Sequence, residues 1–179
     1  MIYMFLADGF EEVEALCPLD LMRRAGLSVK TVGINKNEIV GAHGIKVIAD
    51  MADSEFSDNE AEMIFLPGGM PGTLNLANSA PVINAIKKAV ADDAYIAAIC
   101  AAPSILGDMG LLNGKEAICY PGFENRLKGA TISKNKVVRD GKFITAAGMG
   151  VAYNMGLEIV RILCGDKKAN ELKEATIHA

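Results

Sequence analysis

Two features of this chain could do chemistry together: a cysteine that closes an apolar run, and an acid set among apolar residues. In YIAAICAAPSIL, Tyr95 to Leu106, the run ends on Cys100 and passes at once, through Ala101 and Ala102, into a helix-like segment. Strand, nucleophile, small residues and helix is the layout of a nucleophile elbow, in which a tight turn pushes the side chain out of the sheet. A helix starting there aims unpaired N–H groups and the positive end of its dipole at the sulfur, which favours a thiolate and predicts a lowered cysteine pKa. The same position also suits a buried thiol packed as a small hydrophobe. Position alone leaves both open.

The acid is Glu14, in FEEVEALCPLDLMRRAG. With Phe10 to Ala25 helical, Phe10, Cys17 and Leu21 form the inward stripe and Glu14 falls in its middle, while Glu11 and Glu12 point elsewhere. A carboxylate on an apolar face must be paired or protonated, because an unpaired buried charge is very costly. The plainer alternatives are a partly exposed glutamate at the helix edge or a capping carboxylate close to its start. Pro18 cannot donate to the carbonyl of Glu14, which predicts a kink. A third feature, LPGGMPG after Phe65, is a glycine-rich turn that presents bare backbone N–H groups to an oxyanion. It lacks the Gly-Lys-Ser/Thr ending of a Walker loop and is no dinucleotide fingerprint.

These features need a frame. Ile2 to Ala7, Ser28 to Ile34, Met63 to Gly68 and Tyr95 to Cys100 are short, apolar and bounded by turn residues, as buried strands are. Helical spacing covers Phe10 to Ala25, closed by Gly26. It also covers Pro81 to Asp93 with Ser79 as N-cap, a segment just after Cys100, and about Val151 to Leu163. Alternation of this kind predicts an α/β fold with a mostly parallel sheet. KNKVV and KFITAA, joined by RDGK, add a small antiparallel hairpin. ADGFEE, LPGGMPG and ICAAP all fall at strand carboxyl ends, where an open parallel sheet gathers its ligands.

Composition narrows the setting. The 179 residues, 51% hydrophobic, make one domain spanning 1–179 the economical expectation. A net charge of -4 without a block of like charges offers no footprint for nucleic acid or an acidic membrane, so the expected partner is a small molecule or a protein. No run is long enough to span a membrane and no basic, cleavable leader opens the chain, so a cytoplasmic location is expected. Cys17, Cys100, Cys119 and Cys164 form no C-x-x-C pair and are expected as thiols. With His43 and His178 as the only two histidines, and both placed in solvated segments, no metal site is expected.

ADGFEEVEALCPLDLMRRAG, FLPGGMPGTLNL and AAICAAPSIL, in this order and spacing, closely resemble the ThiJ/PfpI family, in the branch of the parkinsonism-associated protein deglycase. The resemblance runs from Ile2 to about Gly165. It implies a flavodoxin-like three-layer sandwich and a homodimer. By the same resemblance Cys100 is the elbow nucleophile, Glu14 is the protonated acid hydrogen-bonded to it, and Gly69 and Ala101 supply backbone N–H groups to an oxyanion-type pocket. Gly68, Tyr120 and Met149 are candidates for the pocket lining. Many members carry a histidine where AICYPGFEN places Tyr120. With a pKa of about 10, tyrosine is a poor base at neutral pH, which disfavours a cysteine peptidase. The resemblance implies action on reactive dicarbonyls or early glycation adducts, of glyoxalase or deglycase type and without a cofactor; the substrate is then a small carbonyl compound or a glycated amine. Its competitor is a redox sensor or chaperone governed by oxidation of Cys100 to sulfinate.

Overall fold

The computed structural model describes residues 1–57 and 61–178. Along the chain, β1 (Ile2–Leu6) leads into α1 (Glu12–Arg24) and β2 (Val29–Gly33), then into a hairpin of β3 (Glu38–Val40) and β4 (Lys46–Ile48). After the short β5 (Met51–Ala52) come β6 (Met63–Leu66), α2 (Gly72–Ala77), α3 (Ala80–Ala91), β7 (Tyr95–Ile99) and α4 (Pro103–Asp108). Two-residue strands β8 (Glu116–Ala117) and β9 (Thr131–Ile132) precede β10 (Val137–Asp140), β11 (Phe143–Ala146), α5 (Ala152–Cys164) and α6 (Asp166–Ala175).

The central sheet has seven strands in the order β10-β11-β7-β6-β1-β2-β5. Every pairing in it is parallel except β10 with β11, the hairpin that RDGK signals. All four residues of β6 are buried, as expected of a strand covered on both faces. The two-residue period of a strand then sorts side chains between layers. Phe5, Ile64, Leu66, Ile96 and Ala98 pack with residues of α2, α3 and α4. Met4, Leu6, Phe65, Ala97 and Ile99 pack with Ala15, Leu19 and Met22 of α1 and with Met155 and Ile159 of α5. Helices on both faces of a mostly parallel sheet make the three-layer architecture.

Several expectations shift in detail. α1 starts at Glu12 rather than Phe10, with Glu11 at the N-cap, and continues through Pro18. Its buried side is broader than one stripe: Ala15, Leu19 and Met22 face the sheet, while Leu21 joins Leu157, Val160 and Leu172 of α5 and α6. Cys17 is only half-buried, packed partly against the sheet-side core and partly against the cluster of Leu21 with Leu157 and Val160 of α5. Gly156 of α5 makes this contact close, since a Cβ there would come within 2.7 Å of Leu21 Cδ1. The short α2 and the β3-β4 hairpin are too brief to show a periodic pattern, and the largely polar α6 buries only Ala169 and Leu172. Among the described residues no helix is long and apolar enough to cross a membrane.

Candidate active site

Cys100 follows the last residue of β7 and adopts a φ of 65°. That left-handed conformation costs a residue bearing a Cβ about 1–2 kcal/mol, so the surroundings must impose it. They do so from two sides: Cys100 N–H donates to the carbonyl of Ala146 at 2.9 Å, and Tyr120 N–H donates to the carbonyl of Cys100 at 2.7 Å. β11 and the segment after β8 thus clamp the turn, and the sulfur leaves the sheet at its carboxyl edge.

Glu14 reaches the same point from α1. Glu11 N–H donates to the carbonyl of Gly68 at 2.9 Å, which pins the start of α1 to the turn after β6. Three residues on, Glu14 is 1% exposed, and its carboxyl accepts from Gly68 N–H at 3.0 Å and from Met149 N–H and shares a hydrogen bond with the Cys100 sulfur. Backbone N–H groups of Gly69 and Ala101 point at that sulfur. The structure therefore brings together Cys100, Glu14, Gly68, Gly69, Ala101 and Met149.

Burial, above all, pushes the Glu14 carboxyl up to about 7, with the charge of Glu11 adding to the rise. Burial likewise leads in raising the Cys100 thiol to about 12, reinforced by the Glu14 carboxylate and opposed by the Gly69 and Ala101 N–H groups. This corrects the lowered thiol pKa expected from the helix. α4 begins only at Pro103 and has six residues, so little dipole reaches the sulfur, whereas a carboxylate touches it. Two adjacent buried acids titrate as a pair. The carboxyl, at about 7, gives up its proton before the thiol does.

Gly68 has no room for a side chain: a Cβ would lie 2.5 Å from Glu14 Oε2 and 2.6 Å from Cys100 Cβ. Gly68→Ala should therefore separate the two groups. Alkylation of Cys100 by iodoacetamide should lose its inflection near pH 7, and the melting temperature should drop; an unchanged alkylation profile would show that the pair tolerates a methyl group between them.

The pair opens into a cavity of about 390 Å³, whose walls include His43, Met70, Tyr120, Phe123 and Met149. Tyr120 and Met149 are half exposed at its rim. Sequence reasoning set His43 aside as a solvated loop residue, yet it lines this cavity, and Glu11 does so too. Glu12, 3% exposed, lies behind with its Oε2 2.8 Å from His43 Nδ1. The contact joins residues 31 apart, which no local pattern exposes. Cys119 is buried with its thiol raised to about 11, chiefly by burial, and Cys164 is exposed at the end of α5; neither lines the cavity. A larger crevice of about 520 Å³ beyond β1 and β2 holds no cysteine or histidine, and its Asp8 and Lys36 pair at 2.7 Å. The candidate groups Cys100 and Glu14 line the smaller cavity instead.

Residues 1–162 match the DJ-1/PfpI family. The chain belongs to that family. Among its DJ-1/PfpI relatives, the Drosophila melanogaster protein dj-1beta is 31% identical over 98% of this chain and 96% of its own length. A deglycase of Pyrococcus abyssi is 30% identical over 90% of this chain and 98% of its own. DJ-1 homolog B of Arabidopsis thaliana is 38% identical over 93% of this chain, which spans 39% of that relative's length. In structure, a DJ-1 superfamily protein of Salmonella typhimurium superposes with a TM-score of 0.94 at 30% identity, covering 99% of this chain and 98% of that one. Toxoplasma gondii DJ-1, solved in a form described as oxidized, gives 0.95 at 29% identity with the same coverage.

Proposed function

We propose that the protein is a glutathione-independent enzyme of glyoxalase or deglycase type, acting on small reactive dicarbonyls or their early adducts with amines. The observation that carries this reading is the hydrogen bond between the Cys100 sulfur and a carboxyl raised to about 7. A group with that pKa gives and takes protons at neutral pH. Its place beside the thiol supplies the base that Tyr120 does not. The deglycase of Pyrococcus abyssi, similar over most of both chains, supports the assignment.

With methylglyoxal, the Glu14 carboxylate takes the thiol proton as sulfur bonds to the aldehyde carbon. The proton passes to the new oxyanion, which the Gly69 and Ala101 N–H groups stabilise. Glu14 then removes the hydrogen from that carbon and returns it to the neighbouring one, so the aldehyde carbon is oxidised as the ketone carbon is reduced. A thioester results, and water releases a 2-hydroxy acid and the thiol. No outside oxidant or reductant enters the balance. Consumption of methylglyoxal by the purified protein without glutathione tests the reading; no loss above a heat-denatured control would refute it.

The second reading, a redox sensor, is favoured by the same carboxyl, which can donate a hydrogen bond to a sulfinate oxygen. Two equivalents of peroxide would each leave one oxygen on sulfur and depart as water. Modest peroxide should then add two oxygens to Cys100 before Cys17, Cys119 or Cys164 is modified, as read from a peptide mass map. Oxidation led by the exposed Cys164 would count against it.

A further inference from the structure

We propose that His43, held by Glu12, is the proton donor at the mouth of the Cys100 cavity, serving the substrate oxygen on the carbon beside the one that sulfur attacks. The inference rests on the dicarbonyl reading above and adds a catalytic residue to it.

The geometry is built for the purpose. Glu12 sits in the first turn of α1, and its Oε1 accepts from His43 N–H at 2.7 Å and from Ile45 N–H at 3.4 Å. The loop carrying His43 is tied down independently by Gly41 N–H to the carbonyl of Ile45 at 2.9 Å and by Ala42 N–H to the carbonyl of Phe10 at 2.8 Å. At Gly41 any Cβ would strike the Glu12 carboxylate, so the loop can press this closely only with glycine there. The remaining Glu12 oxygen, Oε2, is 2.8 Å from His43 Nδ1. A carboxylate on Nδ1 selects the tautomer with Nδ1 protonated and orients the ring. Among the described residues Nε2 has no protein partner, and the ring lines the cavity.

The charge balance points the same way. Glu11, Glu14 and Cys100 all face this cavity together with Tyr120, and no lysine or arginine does. Hydrogen bonding to Glu12, with the charges of Glu11 and Glu12, raises the His43 pKa and keeps a cation among these acids to higher pH. When Glu14 takes the hydrogen from the sulfur-bearing carbon, the electron pair forms a carbon–carbon double bond. The ketone oxygen then gains a negative charge that the Gly69 and Ala101 donors, gathered at the sulfur, do not serve. His43 Nε2–H gives its proton to that oxygen. As the thioester carbonyl forms, the hydroxyl on the sulfur-bearing carbon releases a proton, which restores the imidazolium through water.

The test compares wild type with His43→Gln, whose 68% exposed side chain is dispensable for packing. Two readouts are used: methylglyoxal turnover without glutathione across pH, and the rates at which iodoacetate and iodoacetamide alkylate Cys100. The variant should lose about a hundredfold in kcat, with KM within about twofold. It should also lose the alkaline decline of the profile and the preference for the anionic reagent. Glu12→Gln should move that decline to lower pH. A wild-type kcat retained by His43→Gln, or an unaltered ratio of the two alkylation rates, overturns the inference. An inactive wild type overturns the dicarbonyl reading instead, and the alkylation ratio still decides for or against His43.

Discussion

Cys100→Ser should abolish glutathione-independent consumption of methylglyoxal, and Glu14→Gln should lower it by at least about a hundredfold. The two losses have different causes. A serine hydroxyl is a far weaker acid and a poorer nucleophile than the thiol, so the same base leaves far less attacking anion, although the elbow still presents the side chain. Glutamine can still accept from Gly68 N–H, which preserves the geometry, but it neither takes nor returns a proton. Wild-type turnover should rise with pH through about 7 as Glu14 becomes a carboxylate, and that limb should vanish in Glu14→Gln. Undiminished turnover in Cys100→Ser would rule out a covalent role for the sulfur. If only Glu14→Gln stayed active, another base would be at work.

The second large effect is on stability. Glu14 titrates at about 7 in the folded chain against an ordinary 4.5. Between these values the folded protein holds a proton that the unfolded chain has released, so stability falls as pH rises. At about 1.4 kcal/mol per unit, the loss from this one group is about 3 kcal/mol, complete above pH 7. Asp8 and Asp50, held below the ordinary range by their hydrogen bonds and cationic neighbours, act in the opposite sense at lower pH. Comparison with Glu14→Gln removes their contribution. Urea unfolding at pH 5 and pH 8 should show the variant gaining on wild type at the higher pH. Parallel behaviour of the two proteins would mean that Glu14 is ionised throughout and that its burial is compensated. The protein thus carries a costly acid at its centre, as expected where a proton must be available at neutral pH.

What the residues reveal by themselves follows from how local each signal is. Runs such as MIFL and YIAAI announce buried strands because a parallel strand is covered on both faces. Cys100 is legible as an elbow because strand, cysteine, small residues and helix lie within one short segment. Glu14 is legible because helical spacing sets an acid among apolar neighbours. The β10-β11 hairpin is legible from its turn. Each of these rests on residues a few positions apart.

Tertiary structure decided what depends on distant segments meeting. The buried side of α1 is broader than its inward stripe because α5 and α6, over a hundred positions away, cover Leu21 and part of Cys17. His43 could not be placed at the cavity from sequence, since its partner Glu12 lies on another element and the loop is fastened by a backbone bond from Ala42 to Phe10. The thiol pKa turned in the opposite direction to expectation for the same reason. The helix dipole could be read locally, but the touching carboxylate and the exclusion of water could not, and these dominate. Local pattern alone marked Cys100 and Glu14 as the candidate pair and a mostly parallel α/β sheet as their scaffold. Only the packing of α1 against the ends of β6 and β7 raised both groups' pKa values, because electrostatic coupling depends on distance and burial, and neither is a property of neighbours along the chain.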